Sequence, residues 1–247
     1  MLLNGQRRVV DLPRAGRVTI GRARSDLCLA DRSVSMDHAT VLIELGGCRV
    51  IDRSSVSGTV VNGRPVKEAE LVDGDVLALG VATLTVREVP EPGVEERTML
   101  AAIHQGGDDA RHVFADWLEL HGRGDEAAWL RAEVRLYATP EDSREPCRVE
   151  LERLTAHVGS TFRAQVSRAG IEACFKAGCP KRWETLPLGN DERVRACGTC
   201  NAEVPFCDTV EEGQRRISLG RRGESRLVVD PSRPRAPRDL WPMVTLG

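Results

Sequence analysis

The stretch "VSMDHATVLI", residues 34–43, decides how the first third of the chain is interpreted. It places Ser35 three residues before His38, directly ahead of an apolar run that begins at Ala39. A serine and a histidine so close together suggest a nucleophile and its general base. No oriented acid partner and no glycine-rich nucleophile elbow accompany them, so the flanking sequence has to decide their role.

The flanking sequence from residue 7 to about residue 88 consists of short β-branched runs separated by Gly, Asp, Asn and Ser turns. The runs are "RRVVDL", "GRVTIG", "ATVLIEL", "CRVIDR", "GTVVNG", "DVLALG" and "ATLTVREV". This pattern is typical of an all-β sandwich, which we predict for residues 1–89. Within it, "VVNGRPV" predicts a hairpin in which Asn62 and Gly63 adopt the positive φ angles of a type I′ turn.

Four motifs follow one another in this segment: "TIGRARSDLCLAD", "VSMDHATV", "VIDRSSVSGTVVNG" and "LVDGDVLALG". Their order and spacing over residues 5–88 resemble the forkhead-associated (FHA) domain, whose usual pattern is Gly-Arg, Ser-Arg-x-His, Asn-Gly-Thr and Gly-Asp. The resemblance implies a phosphothreonine reader rather than an enzyme. It implies that Ser35 binds a phosphate oxygen, while His38 braces the loop beneath it.

The implied site combines one guanidinium with neutral donors on rigid loops at one end of the sandwich, which suits a phosphate charge near −2. Arg22 is the expected main charge. The residues expected to contact the phosphopeptide are Arg22, Ser35, Ser57 and Gly58, and those expected to support the pocket are Gly21, His38, Thr59 and Asn62.

Two positions depart from the usual FHA pattern. Met36 stands where the family usually has Arg, so one cation is missing from the pocket rim. Ser57 stands where the family usually has Asn, and it offers one donor rather than two. Losing one charge-assisted hydrogen bond costs about 1.5–3 kcal/mol, or roughly ten- to hundredfold in affinity. A weak phosphothreonine reader and a scaffold with a vestigial pocket both remain open at this point.

Residues 97–170 carry helical periodicity after the linker-like "PEPGVEE" at 90–96. Four amphipathic helices are predicted: a short one over residues 99–103, two over "DARHVFADWLELH" and "DEAAWLRAEVRLY", and a longer one over residues 148–166. In the second of these, Val113, Phe114, Trp117 and Leu118 are expected on the buried face. Around "ADWLE", residues 97–137 are similar to the bacterial repeat-companion domain, which implies an interaction or spacer module.

The third segment, residues 171–230, is rich in cysteine. It holds Cys174, Cys179, Cys197, Cys200 and Cys207, five of the eight cysteines of the chain. Because this segment has few large apolar residues, four thiolates around a structural Zn²⁺ would substitute for the core that it cannot build. It resembles a zinc ribbon, with Cys179, Cys197, Cys200 and Cys207 as the expected ligands.

The choice of four ligands among five cysteines stays open on sequence grounds. The spacing Cys174-x4-Cys179 departs from the usual Cys-x2-Cys, and Cys174 lies in the apolar run "IEACF", where a buried thiol is equally natural. A redox pair of Cys197 and Cys200 lacks a βαβ context. A catalytic zinc ion is disfavoured because the segment contains no histidine.

Charge and hydropathy narrow the function classes. The formal net charge is −2, and residues 171–247 carry 13 Lys and Arg against 11 Asp and Glu, far from the basic footprint of a nucleic-acid domain. No apolar run is long enough for a signal peptide or a membrane span, so we predict a cytoplasmic protein with reduced thiols. The Pro- and Arg-rich tail, residues 231–247, is predicted to be irregular.

The predicted fold class is therefore multidomain: an FHA-like sandwich, a small helical bundle and a zinc-ribbon-like module. The predicted function is a phosphothreonine-dependent adaptor in bacterial Ser/Thr kinase signalling. Its sandwich docks on a phosphothreonine of a kinase or kinase substrate, while the other modules hold a second protein partner. The alternatives are a non-phospho interaction scaffold, or a weak nucleic-acid-associated regulator that uses the zinc module.

Overall fold

The chain divides into two compact units, Met1–Glu91 and Pro92–Gly247, in a computed structural model. The division falls inside the Pro- and Glu-rich segment at 90–96. The structure describes residues 2–3, 6–44, 47–105, 107–171, 179, 182–187, 191–209, 212–213 and 228–229. The predicted irregular tail, residues 231–247, lies outside the described residues.

The first unit is made of short β-strands in two sheets. Its strands are β1 (Leu2–Leu3), β2 (Gln6–Arg7), β3 (Gly16–Gly21), β4 (Leu27–Cys28), β5 (Ala39–Glu44), β6 (Gly47–Asp52), β7 (Thr59–Val61), β8 (Arg64–Val66), β9 (Glu68–Leu71), β10 (Val76–Leu79) and β11 (Ala82–Thr85). One sheet has the strand order β2-β1-β11-β10-β7-β8, and the other has β4-β3-β5-β6-β9.

Both sheets contribute to one apolar core. Val18 and Val41, which are register partners in β3 and β5, are buried together with Leu77 and Leu79 of β10. Alternate residues of a strand face opposite sides of a sheet, which is why Val18 and Ile20 are buried while Arg17 is exposed. The predicted β-sandwich is confirmed.

The hairpin predicted from "VVNGRPV" is also confirmed. Asn62 and Gly63 have φ angles of 50° and 79°, and they join β7 to β8 with Val61 opposite Arg64. The Asn62 side chain donates to Asp75 Oδ1 at 2.7 Å and accepts from the Val76 N–H at 2.9 Å. The hairpin is therefore attached to the Gly-Asp turn that precedes β10.

The second unit begins with helices and continues into the cysteine-rich segment. Its helices are α1 (Val94–Gln105), α2 (Asp108–Leu120), α3 (Gly124–Ala138), α4 (Glu145–Thr155) and α5 (Ser160–Val166), with single 3₁₀ turns at Glu141–Ser143 and Trp183–Thr185. Its strands are β12 (Val194–Cys197), β13 (Ala202–Cys207) and β14 (Val228–Val229). Among the described residues, none of these helices has the length and apolar character needed to cross a membrane.

Two helix predictions need correction. Residues 148–166 do not form one helix, because Gly159 has extended backbone angles (φ −62°, ψ 148°) and separates α4 from α5. Val113 does not face the core but is 60% exposed. The buried face of α2 consists of Arg111, Phe114, Ala115 and Leu118. It therefore includes a charged residue, which the apolar pattern did not place there.

That charged residue, Arg111, forms a buried ion pair. Its Nη1 lies 3.0 Å from Glu133 Oε2 on α3, its Nη2 lies 3.2 Å from Glu184 Oε2, and it also donates to the Val166 carbonyl. Burial raises the pKa of Glu133 to about 6, although the Arg111 charge opposes the rise. The pair therefore links the helices with the 3₁₀ turn of the cysteine-rich segment.

The cysteine-rich segment also shares apolar contacts with α5. The Trp183 indole N–H donates to the Ala164 carbonyl at 2.6 Å, and its ring lies 5.7 Å from the ring of Phe206. The Arg195 guanidinium lies over Trp183 at 4.7 Å and donates to the carbonyl of Gln165. The predicted helical domain (97–170) and the described part of the predicted zinc module (171–230) thus pack within one unit.

Replacing Arg111 should destabilise the second unit strongly. We expect Arg111→Ala to lower its free energy of unfolding by about 3–5 kcal/mol, because the change leaves the Glu133 carboxylate buried without its partner. Urea unfolding monitored by tryptophan fluorescence measures this, since all four tryptophans follow residue 91.

Arg131→Ala is the matched control for this prediction. It removes the same charge, but Arg131 pairs with the exposed carboxylates of Asp116 and Glu119, and such pairs are worth less than about 1 kcal/mol. A loss of stability in Arg111→Ala as small as that in Arg131→Ala would contradict the assigned role of the buried pair.

Candidate functional site

Ser35 and His38 meet in the structure, but not as a nucleophile and its base. The fully buried His38 ring contacts the Ser35 backbone, whose N–H donates to Nδ1 at 3.1 Å. The other ring nitrogen, Nε2, lies 3.1 Å from the Gly58 carbonyl. Because a backbone N–H can only donate, Nδ1 is the acceptor, so Nε2 carries the proton and donates to Gly58. His38 therefore joins the loop before β5 to the loop before β7.

The Ser35 hydroxyl is held with its proton available. Its Oγ accepts from the Val56 N–H at 3.0 Å, so the oxygen is oriented while the O–H can still donate. The Ser35 carbonyl accepts from the Arg22 N–H at 2.8 Å, which places the backbones of these two residues side by side. Ser35 is half-buried at this junction.

Arg22 directly follows β3 and is half-buried. Within the part of the chain that the structure describes, its guanidinium makes neither a hydrogen bond nor an ion pair. A partly desolvated cation without an internal partner is suited to an anionic ligand. Arg22 and Ser35 thus supply a charge and a neutral donor on adjoining loops.

Gly21 is required by a close crossing of the chain. A Cβ atom at this position would lie 2.1 Å from the Met36 carbonyl oxygen and 2.6 Å from Ser25 Oγ. Any side chain would therefore push the Ser35 loop away from the end of β3. Gly80 has a comparable role, since its Cβ would lie 2.3 Å from Ser33 Oγ and its φ angle is +60°. Sequence reasoning did not identify Gly80 or Ser33.

Asp52 organises the loop before β7 and was also missed from the sequence. Its carboxylate accepts from Ser55 Oγ at 2.5 Å, from Thr59 Oγ1 at 2.8 Å and from Lys67 Nζ at 3.1 Å. Burial alone raises the pKa of Asp52, but these hydrogen bonds outweigh it and hold the pKa well below the ordinary value. Thr59 thus supports the loop from beneath, at a fully buried position.

The remaining predicted residues are placed less favourably for ligand contact. The Ser57 hydroxyl donates to the Ser33 carbonyl at 3.0 Å, so its single donor is engaged within the loops. The Gly58 carbonyl accepts from His38, and Gly58 itself has a φ angle of +76°. Asn62 lies three residues beyond Thr59 along β7, about 10 Å away, because each strand residue advances about 3.4 Å. It supports the hairpin rather than the loops around Ser35.

The residues that flank Ser35 form an apolar rim. Met36 is 50% exposed, and Val56, whose N–H holds the Ser35 hydroxyl, is 97% exposed. One cation nevertheless lies nearby. Arg53 donates its backbone N–H to the His38 carbonyl, and its Nε lies 3.7 Å from Asp37 Oδ2 with the side chain 54% exposed. Sequence reasoning did not identify Arg53.

The predicted metal ligands do not all meet. The sulfur atoms of Cys179, Cys197 and Cys200 lie within 4.8 Å of one another, whereas Cys207 is not part of this group. In the β12–β13 hairpin Cys197 pairs with Ala202. Cys207 lies five residues beyond Ala202 along β13, about 17 Å from it, because each strand residue advances about 3.4 Å. Cys174, the alternative ligand, lies outside the described residues.

Two relatives with known names show the extent of the similarity. Over 99 residues the chain is 36% identical to the ABC transporter ATP-binding/permease protein Rv1747 of Mycobacterium tuberculosis, a match that covers 40% of this chain and 11% of Rv1747. Over 78 residues it is 40% identical to the glycogen accumulation regulator GarA of Mycolicibacterium smegmatis, covering 31% of this chain and 47% of GarA. The chain therefore spans less than half of the length of either relative.

A solved structure and a family model each match part of the chain. The structure comes from a structural and functional analysis of phosphothreonine-dependent FHA domain interactions; it is 36% identical, with 32% of this chain and 83% of that chain covered and a TM-score of 0.31. The resemblances to the repeat-companion domain and the zinc ribbon stay predictions. The FHA family model matches residues 18–80, which contain Gly21, Arg22, Ser35 and His38, so this part of the chain is an FHA domain.

Proposed function

We propose that this protein is a phosphothreonine-dependent adaptor whose FHA domain binds a phosphorylated kinase or kinase substrate through Arg22 and Ser35. The observation that carries the proposal is the half-buried Arg22 guanidinium, which has no partner within the described residues and whose backbone is bonded to Ser35. A phosphothreonine phosphate carries close to two negative charges and three acceptor oxygens, and it supplies the partner that Arg22 lacks.

Rigid loops lower the cost of binding at this site. His38 holds the Ser35 backbone, Asp52 holds the loop before β7, and Gly21 permits the close crossing that brings the loops together. A preformed arrangement of donors loses little conformational entropy when a ligand binds. The phosphate therefore meets a charge and a hydroxyl that are already in position.

The second unit supplies the rest of the adaptor. It exposes apolar side chains on α2, namely Val113 and Leu120, which suits contact with a second protein. The weak basic excess of residues 171–247 makes nucleic acid a poor partner for the described part of this unit. We also propose that the protein has no catalytic role and that it lies in the cytoplasm.

Removing the Arg22 charge should weaken phosphopeptide binding strongly. We expect the full chain to bind its best phosphothreonine peptide from a library, and to bind neither the unphosphorylated nor the phosphoserine version. Arg22→Ala should weaken titrated affinity by roughly ten- to hundredfold or more, because one charge-assisted contact contributes about 1.5–3 kcal/mol.

Arg87→Ala is the matched control for the Arg22 experiment. It removes the same charge from an exposed side chain that pairs with Asp73 at 3.5 Å. Its affinity should equal that of the unmodified chain. Equal binding by Arg22→Ala, or no binding of any library peptide by the intact chain, would show that the FHA domain is a scaffold with a vestigial pocket.

Restoring the cation at position 36 should strengthen binding. Met36→Arg is expected to raise affinity by roughly tenfold or more, because it adds a charge-assisted donor beside Ser35. Val72→Arg is the control: it adds the same charge at an exposed site following Leu71, which pairs with Cys48 at the opposite end of β6 from Asp52. If both variants bind alike, position 36 does not face the phosphopeptide.

Arg53 should partly replace the missing cation. We expect Arg53→Ala to weaken peptide binding severalfold, since its side chain lies beside Asp37 on the Ser35 loop. In a Met36→Arg background the same change should have a smaller effect, because the two cations would contact the same phosphate. Isothermal titration of the four proteins gives this coupling directly. Additive effects would mean that Arg53 acts independently of the pocket rim.

A further inference from the structure

Three cysteine thiols converge at the turn of the β12–β13 hairpin. Cys197 ends β12, Cys200 lies in the turn that follows, and Cys179 comes from the preceding segment. Their sulfur atoms all lie within 4.8 Å of one another, and those of Cys179 and Cys197 are 3.6 Å apart. Cys179 and Cys197 are buried, and Cys200 is half-buried.

The sulfur spacing matches a tetrahedral metal site. With metal–sulfur bonds of about 2.3 Å, the sulfur atoms of a tetrahedral zinc site lie about 3.8 Å apart. The 3.6 Å between Cys179 and Cys197 is close to that edge. It is far longer than the bond of about 2.05 Å that joins two sulfur atoms in a disulfide. The distance between Cys179 and Cys197 is therefore that of two ligands of one metal ion and not that of a disulfide.

The turn between β12 and β13 brings Cys200 back towards Cys197. The Cys200 N–H donates to the Cys197 carbonyl at 3.2 Å, and Asn201 has a positive φ of 50°, so the chain turns tightly around the sulfur. The turn therefore keeps Cys197 and Cys200 on the same side of the hairpin end, with their sulfur atoms in one group.

We propose that Cys179, Cys197 and Cys200 bind one structural Zn²⁺ ion. Each thiol loses its proton to solvent as it binds, and no electron is transferred. Zinc suits the site because it accepts thiolates in a tetrahedral arrangement and has no redox chemistry. Within the described residues no further Cys, His, Asp or Glu joins this group, so the fourth ligand is left unassigned.

The ion has a defined structural task in this proposal. Cys179, Cys197 and Cys200 belong to the same apolar cluster as Trp183, Phe206 and Ala164 of α5. A metal that ties Cys179 to the β12–β13 hairpin therefore also fixes the surface on which α5 packs. Removing the ion should loosen α5 and the hairpin together, while the FHA domain, whose core lies in the other unit, stays folded.

Metal content and ligand substitution test the proposal on the full chain. Elemental analysis of protein reconstituted with Zn²⁺ should give one ion per chain, and Co²⁺ substitution should give a thiolate charge-transfer absorption. Cys197→Ser and Cys200→Ser should lose the ion. Cys207→Ser should keep it: this matched control makes the same change at a buried cysteine of the same hairpin, but at its far end.

Hydrogen exchange after chelation tests the structural task. Amides of α5, β12 and β13 should lose protection, whereas those of β5 and β6 should keep it. A reconstituted chain that binds no zinc or cobalt would overturn the proposal, and so would a disulfide among the three cysteines in protein purified with its thiols trapped. Loss of the ion from Cys207→Ser as complete as from Cys197→Ser would overturn the ligand assignment.

Discussion

The candidate site depends on the two hydrogen bonds that the His38 imidazole makes with backbone groups. The imidazole is fully buried and uses both ring nitrogens, accepting from Ser35 and donating to Gly58. An unsatisfied buried donor or acceptor costs about 1–3 kcal/mol, so neither loop can move away without losing its partner. Ser35 is held by its backbone at one end of this bridge. Its hydroxyl accepts from the Val56 N–H, and His38 does not act as its base because both ring nitrogens already bond backbone groups.

The second unit depends on polar contacts of a different kind. A buried ion-pair network joins Arg111 to Glu133 and Glu184. A buried pair contributes little net stability, but it strongly penalises any arrangement that separates its members. It therefore selects one packing of the helices against the Trp183 turn. The same turn contributes Trp183 to the cluster that holds the three cysteines.

The sequence predicted those features that local chemistry encodes. β-Branched runs between turn residues predicted the sandwich, and Asn62-Gly63 predicted a hairpin that needs two positive φ angles. Apolar periodicity wrongly placed Val113 on the buried face of α2, because it reserves that face for apolar residues. The buried face instead includes Arg111, which is paired with the Glu133 carboxylate. Asp52 carried no pattern that distinguished it from a surface carboxylate. Its role follows from three donors brought together only by the fold.

The prediction that Cys207 joins the other three cysteines rested on sequence spacing, and the fold separates Cys207 from them. Cys200 and Cys207 are close in sequence, but β13 is extended, so each residue carries the chain about 3.4 Å away from the turn. Cys197 and Cys200, by contrast, are joined by a tight turn, so their sulfur atoms lie close together. A Cys-x2-Cys spacing thus predicts that two sulfur atoms lie close together where the chain turns between them. Longer spacings become informative once strand register is known, and here the pairing of Cys197 with Ala202 removes Cys207 from the group.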